Sequence, residues 1–175
     1  TPEDLAGILW TSLNESDPTL LLIPKHIMRV RHKSVTARSV GFGRGRIVRP
    51  GNDVTVVAWG NCVELARMAA EEMASECSVE IIDPISLVPC DWEMIESSIG
   101  KTGRLVVISE DARTSSFGQA IVAHVVGSQD QFNRLLSPPL LVARPDAHIA
   151  FNPAVEYATL PDLAKVKSAL LDVLA

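Results

Sequence analysis

The chain is short of cysteine, aromatics, basic charge and long apolar runs, and each shortage removes a class of function. Cys62, Cys77 and Cys90 stand far apart among 175 residues. They form no CxxC pair and no metal spacing. Neither a disulfide framework nor a metal knuckle is expected, and idle thiols in a reducing, cytoplasmic setting are. No apolar run approaches the ~20 residues that span a bilayer, and no signal-peptide pattern is visible, so no membrane association is expected. Aromatics make up 5% of the residues and the net charge is −5. Without a basic stripe interleaved with aromatics, nucleic acid is not an expected partner. There is no P-loop and no GxSxG elbow. His26, His32, His124 and His148 do not fall at ligand spacing.

What remains is an ordinary globular composition, 47% hydrophobic and 21% charged. The length suits one domain, or one domain plus a piece of another. The chain opens on Thr1 rather than Met, directly in a helix-like pattern, which suggests a processed or excised piece of something longer.

In "TPEDLAGILWTSLNES", Thr1 suits a cap and Pro2 the first helical position. Glu3 and Asp4 sit where the helix dipole favours acids. Leu5, Ile8, Leu9 and Leu13 form a stripe at helical spacing. Asp17-Pro18 ends the helix, and "TLLLIP" (19–24) reads as a buried strand. Residues 29–44 hold a dense group of basic residues, five of the 16 Lys and Arg, and little periodicity. They read as a linker or an exposed crossing segment. Their cluster of Arg29, Arg31, His32, Lys33 and Arg38 suits phosphate, but a solvated linker is the simpler reading. "GFGRGR" lacks the strand–helix context of a dinucleotide loop and reads as a flexible turn.

From Arg46 onward, strands alternate with helices. Strands are expected at 46–49, 53–59, 79–83, 104–110 and 140–144. Helices are expected from Cys62 to about Met73, then over 90–100, 116–128 and 160–175. Asn61 and Glu64 have capping-box spacing. Asp91 is read as a cap and Gly100 as a stop. The pattern predicts an α/β sandwich with a largely parallel sheet. Only Pro50-Gly51-Asn52 joins the first two strands of this region, so they must be antiparallel if they pair directly.

The most site-like stretch is "ISEDARTSSFGQAI". Glu110 and Asp111 stand at a strand's carboxyl end, where ligands of α/β sheets gather. Ser115 and Ser116 fit helix caps before Phe117 better than they fit nucleophiles. His124 falls mid-helix and reads as a satisfied or half-exposed histidine. The residues alone yield a plausible site at 110–118 and no reaction.

Taken together, the motifs resemble the beta subunits of the decarboxylating component of 2-oxoacid dehydrogenase complexes. "TPEDLAGIL" is similar to that family's Thr-Pro-x-Asp-Ala-x-Gly-Leu-Leu helix start. In "DPTLLLIPKHIMR", Asp17, Pro18, Pro24, Lys25 and Arg29 match. "GRGRIVRPGNDVTVVAWG", "VEIIDPISLVPCD", "KTGRLVVISED" and "FGQAI" each resemble a family segment, as does Leu160-Pro161 before the last helix. The Asp53–Gly60 and Lys101–Glu110 blocks are the most specific.

The resemblance implies a transketolase C-terminal domain-like fold over 46–175. That is a three-layer α/β/α sandwich whose mixed five-stranded sheet has one antiparallel strand. Residues 1–30 would be the tail of a pyrimidine-binding domain and 31–45 a linker. It further implies a parent that uses thiamine diphosphate and magnesium to decarboxylate a 2-oxo acid and acylate lipoyl groups. In such a parent the cofactor carries the carbanion chemistry, and the glutamate that activates it lies upstream of Thr1. No catalytic, cofactor-binding or metal residue is therefore expected in this chain, which would be inactive alone. It would serve a homodimer or an alpha/beta heterotetramer and dock a lipoyl acyltransferase core. Glu110, Asp111, Thr114, Ser115, Ser116 and Phe117 become an interface loop. A transketolase, a deoxyxylulose-phosphate synthase or a non-catalytic assembly module are the other readings. The chain departs from the family at Ile23, Met28, Ile85, Ser115-Ser116 (a glycine pair in the family) and Ala147-His148-Ile149-Ala150.

Overall fold

The computed structural model describes residues 1–25, 28 and 39–175. The basic cluster of Arg29, Arg31, His32, Lys33 and Arg38, most of the expected linker, and His26 lie outside the described residues. The elements run α1 (Pro2–Asn14), β1 (Arg46–Arg49), β2 (Val54–Ala58), α2 (Asn61–Glu72), β3 (Val79–Asp83), α3 (Trp92–Thr102), β4 (Leu105–Ala112), α4 (Phe117–Gly127), α5 (Gln129–Phe132), β5 (Leu140–Arg144), α6 (Pro153–Thr159) and α7 (Leu163–Leu174). Among the described residues no helix is long and apolar enough to cross a membrane.

The sheet has the order β1-β3-β2-β4-β5. β2, β3, β4 and β5 run parallel, and β1 lies antiparallel on the edge against β3. Both faces are covered, so β2 and β3 are buried along their whole length and their residues form apolar runs. Side chains alternate between two cores. Val54, Val56, Ala58, Val79, Ile81, Val106 and Ile108 pack with α2 and α7. Val57, Ile82, Leu105 and Val107 pack with Ile95 and Ile99 of α3 and Ile121 and Val125 of α4. The expected three-layer α/β/α sandwich with one antiparallel strand is the observed architecture.

The first two strands do not pair directly, because β3 lies between them. The Pro50-Gly51-Asn52 turn crosses the start of β3. There the Asn52 and Asp53 N–H groups donate to the Ser78 carbonyl at 3.1 and 2.8 Å. A Cβ on Gly51 would sit 2.2 Å from the Val79 carbonyl carbon, so only glycine passes here. Two strand spacings are roughly 10 Å, a distance four extended residues span with ease.

Four local expectations need correction. "TLLLIP" forms no strand, and Leu20 and Leu22 are 83% and 71% exposed. Asn61 and Glu64 make no capping box. Gly60 is the cap residue, the Asn61 amide turns to Glu110, and Glu64 pairs with Arg67. Gly100 lies inside α3, and the stop is Gly103 in the left-handed region at φ +66°. The stripe on α1 is only partly covered: Ile8 is buried, but Leu9 and Leu13 are 44% and 72% exposed. α5 and α6 escaped the sequence reading because they are short. α5 has four residues, and α6 buries none of its own. The "GFGRGR" turn is pinned, with the Gly43 N–H donating to Ser86 Oγ at 3.3 Å and the Gly45 N–H to Asp91 Oδ2 at 3.0 Å.

Candidate functional site at the carboxyl end of the sheet

Strand β4 runs on past the end of β2, whose Ala58 pairs with Ile108, and ends level with β5, where Ala112 pairs with Arg144; the acid pair lies in the irregular stretch between. Glu110 is exposed, and both its oxygens accept from Asn61 Nδ2 at 3.2 Å. Asn61 opens α2 at the end of β2, so this pair ties two neighbouring strand ends together. The Asp111 N–H donates to Ser109 Oγ at 3.1 Å, and its carboxylate accepts from the next N–H, of Ala112, at 2.8 Å. Both acids are thus engaged in shaping the turn.

Thr114 reaches across to the chain that follows β5. Its N–H and hydroxyl donate to the two Asp146 oxygens at 2.9 and 2.5 Å. Those bonds from Thr114 hold the Asp146 carboxyl below the usual carboxylate range. Ser115 sits in the left-handed region at φ +60°, and its N–H donates to Gln119 Oε1 at 3.0 Å. A serine in that conformation is strained relative to glycine. Ser116 is buried and caps α4, accepting from the Gln119 N–H at 3.2 Å and donating to the Arg113 carbonyl at 3.4 Å. The hydroxyl of Ser116 is therefore a structural group.

Phe117 begins an aromatic cluster. Its ring meets Trp59 edge-on with centroids 5.9 Å apart and lies 6.1 Å from Trp92. Trp92 stacks on His124 at 4.1 Å, and His124 Nε2 lies 2.7 Å from Glu96. Side chains from β2's end, α3 and α4 are thereby locked beneath the loop. His124 is half-exposed and partnered, as expected. Trp59, Asn61, Glu96, Gln119 and Asp146 belong to this region but were not among the expected site residues. Their partners lie 4 to 58 residues away along the chain, and only the fold selects them.

The nearby thiol is inert. Burial, assisted by the negative charge of Glu110, pushes Cys62 up to about 12. Cys90 is likewise raised, to about 11, chiefly by burial. Among the described residues no group of three His, Cys, Asp or Glu side chains converges to hold a metal. The polar groups at this end are committed to the turn. Among the described residues at this end no donor set fits thiamine diphosphate and magnesium.

The start of the Lys101–Glu110 block lies at the opposite end of the sheet. Lys101 binds buried Glu80 at 2.5 Å, and Glu80 also accepts from Ser98 at 2.6 Å. Thr102 and Ser98 share the buried Thr55 hydroxyl at 2.7 and 2.6 Å. Gly103 stops α3, and Arg104 Nε donates to the Val173 carbonyl of α7 at 2.9 Å. Every residue of "KTGR" joins elements of the scaffold.

The described residues form a doubly covered α/β sheet whose carboxyl-end loops are tied together by side-chain hydrogen bonds. The transketolase C-terminal domain family matches residues 43–166, and the chain belongs to that family. It is similar to the pyruvate dehydrogenase E1 component subunit beta of Acholeplasma laidlawii, at 35% identity over 80% of this chain and 43% of that one. It is also similar to the acetoin:2,6-dichlorophenolindophenol oxidoreductase subunit beta of Cupriavidus necator, at 31% identity over 97% of this chain and 50% of the relative. Among solved structures it resembles a split-gene transketolase in an inactive beta4 tetramer, with a TM-score of 0.67 and 26% identity over 78% of this chain. The chain spans about half the length of the curated relatives it matches.

Proposed function

We propose that the chain is the C-terminal part of the beta subunit of a thiamine-diphosphate-dependent 2-oxoacid dehydrogenase, and that it serves assembly. Residues 46–175 are the transketolase-type domain, 1–30 the tail of a pyrimidine-binding domain, and 31–45 the linker. The parent decarboxylates a 2-oxo acid and passes the acyl group to lipoyl groups of an acyltransferase core, as a homodimer or an alpha/beta heterotetramer. Loop 110–117, with Glu110, Asp111, Thr114, Ser115, Ser116 and Phe117, is its contact surface toward a neighbouring subunit.

The observation that carries this reading is the continuous similarity to dehydrogenase-type beta subunits, which runs through α1 and into the last helix. The carboxyl end supports it. Its acids are exposed yet held in one conformation, as a docking surface requires and a cofactor cradle does not.

Calorimetry with thiamine diphosphate and magnesium tests the proposal. The 175-residue chain alone should give no heat of binding, and the full-length parent should bind. A parent that ignores the cofactor overturns the reading. The likeness to a split-gene transketolase favours a second reading, in which the parent acts on sugar phosphates. Turnover of a ketose phosphate by the parent, without turnover of any 2-oxo acid, selects it.

A further inference from the structure

Helix α1 lies outside the matched family segment, yet the sheet holds it. Only Asp4, Gly7 and Ile8 of its 13 residues are buried, so little apolar surface fastens it. One polar tie is the Thr11 hydroxyl, which donates to the Val40 carbonyl at 2.7 Å. The other is a fork at β1. Arg46 Nη1 lies 2.5 Å from Asp4 Oδ2, and its Nη2 lies 3.0 Å from Asp83 Oδ2 on β3. Both carboxylates are buried, while the guanidinium keeps part of its surface in solvent. The planar fork of arginine suits two acceptors held on separate elements, and the point charge of lysine does not.

We propose that Arg46 is the latch that fixes α1, with its exposed Leu9, Trp10 and Leu13 face, at one angle to the sheet. Asp4 and Asp83 face each other across that cation, which offsets the repulsion between their charges. Among the described residues, the Thr1 hydroxyl and, in the 175-residue chain, its amino group also bond Asp4 Oδ2. Asp91, on the loop into α3, is turned instead to the N–H groups of Gly45 and Met94. Burial opposes charge on Asp4, but the Thr1 hydroxyl and amino group and Arg46 outweigh it and hold the carboxyl below its ordinary range. Asp83 is pushed up, by burial first and by Asp4 in addition, against the pull of Arg46. Asp4 therefore contributes its hold above the ordinary carboxylate range and loses it as the pH falls through its lowered value. Release in acid follows.

Hydrogen exchange on the full chain tests the latch, with rates corrected for intrinsic pH dependence. Arg46→Met should speed exchange of the α1 amides, residues 5–14, by roughly tenfold or more, with β2 and β4 changed by less than about twofold. Arg46→Lys keeps the charge and loses the fork, and should fall between. Unchanged α1 protection in both variants would show that Ile8 and Thr11 suffice, and overturns the latch. Equal loss in α1 and the sheet also overturns it, because Arg46 would then be a global stabiliser. Should Arg46→Met fail to fold, a pH series on the unaltered chain decides. α1 must open at a higher pH than the sheet, and simultaneous opening overturns the proposal.

Discussion

The Lys101–Arg104 block and loop 110–117 bracket the same strand, β4, and they behave in opposite ways. Both are polar, both match a family, and both resemble a site when read as letters. The first is folded into the amino end of the sheet, where each side chain or backbone feature joins two elements. The second stands on the carboxyl end, with exposed acids held by neighbours. The block whose letters resemble the family is thus scaffold at one end of this strand, and at the other end the proposed contact surface carries Ser115-Ser116, where the resemblance expects a glycine pair.

The largest expected effect is at the scaffold end. Gly51→Ala would drive a methyl group into the β3 backbone, and a cost of about 4 kcal/mol or more is expected, at the extreme of single substitutions. Urea unfolding followed by circular dichroism measures it. Retained stability would mean that the β1–β2 crossing is looser than the packing shows.

Ile99→Ala removes a fully buried side chain between α3 and the sheet and should cost about 2–5 kcal/mol in the same assay. Glu80→Ala leaves Lys101, Ser98 and the Gly51 N–H without their acceptor. Because Lys101 remains partly solvated, the expected loss is smaller, about 1–3 kcal/mol. Burial alone would raise the Glu80 carboxyl, but its bonds from Lys101, Ser98 and Gly51 outweigh that and hold it below its ordinary range. Its contribution is therefore present above the ordinary carboxylate range and disappears as the pH falls through the lowered value. The wild-type melting temperature should drop on acidification more steeply than that of Glu80→Gln. Parallel curves would remove Glu80 from the account.

At the loop the signs change. Ser115→Gly relieves a positive-φ serine and should stabilise by up to about 1 kcal/mol. A loss there would show that the Ser115 side chain makes a contact worth more than the strain. Smallest for folding is Glu110→Ala, within about 0.5 kcal/mol as for other exposed positions. The same substitution in the full-length parent should weaken subunit association, read by analytical ultracentrifugation. If association is untouched, loop 110–117 is not an interface.

Much of this contrast was written in residue order. The alternation of apolar runs with amphipathic helices placed all five strands from 46 onward within a residue or two, and Asp91 and Ser116 capped where they were expected to. Gly100 and Gly103 were both credible stops for α3. What distinguishes them is that the chain reverses at Gly103 beside Leu136, whose side chain lies 2.6 Å from where a Cβ would be. "TLLLIP" misled because an unbroken apolar run signals a covered surface without saying what covers it. The Asn61–Glu110 and Thr114–Asp146 bonds were invisible, since they link strand ends that become neighbours only through the sheet order.

By itself the sequence determined the five strands and four of the helices from Arg46 onward, that both faces of the sheet are covered, and that one strand runs against the rest. Those properties follow from local periodicity, caps and the shortness of the Pro50–Asn52 connection. Only the tertiary structure decided that β3 inserts between β1 and β2, that "KTGR" is masonry, and that Arg46 clasps α1. Each depends on groups distant in the chain meeting at hydrogen-bond range, and that meeting is set by how the two cores pack.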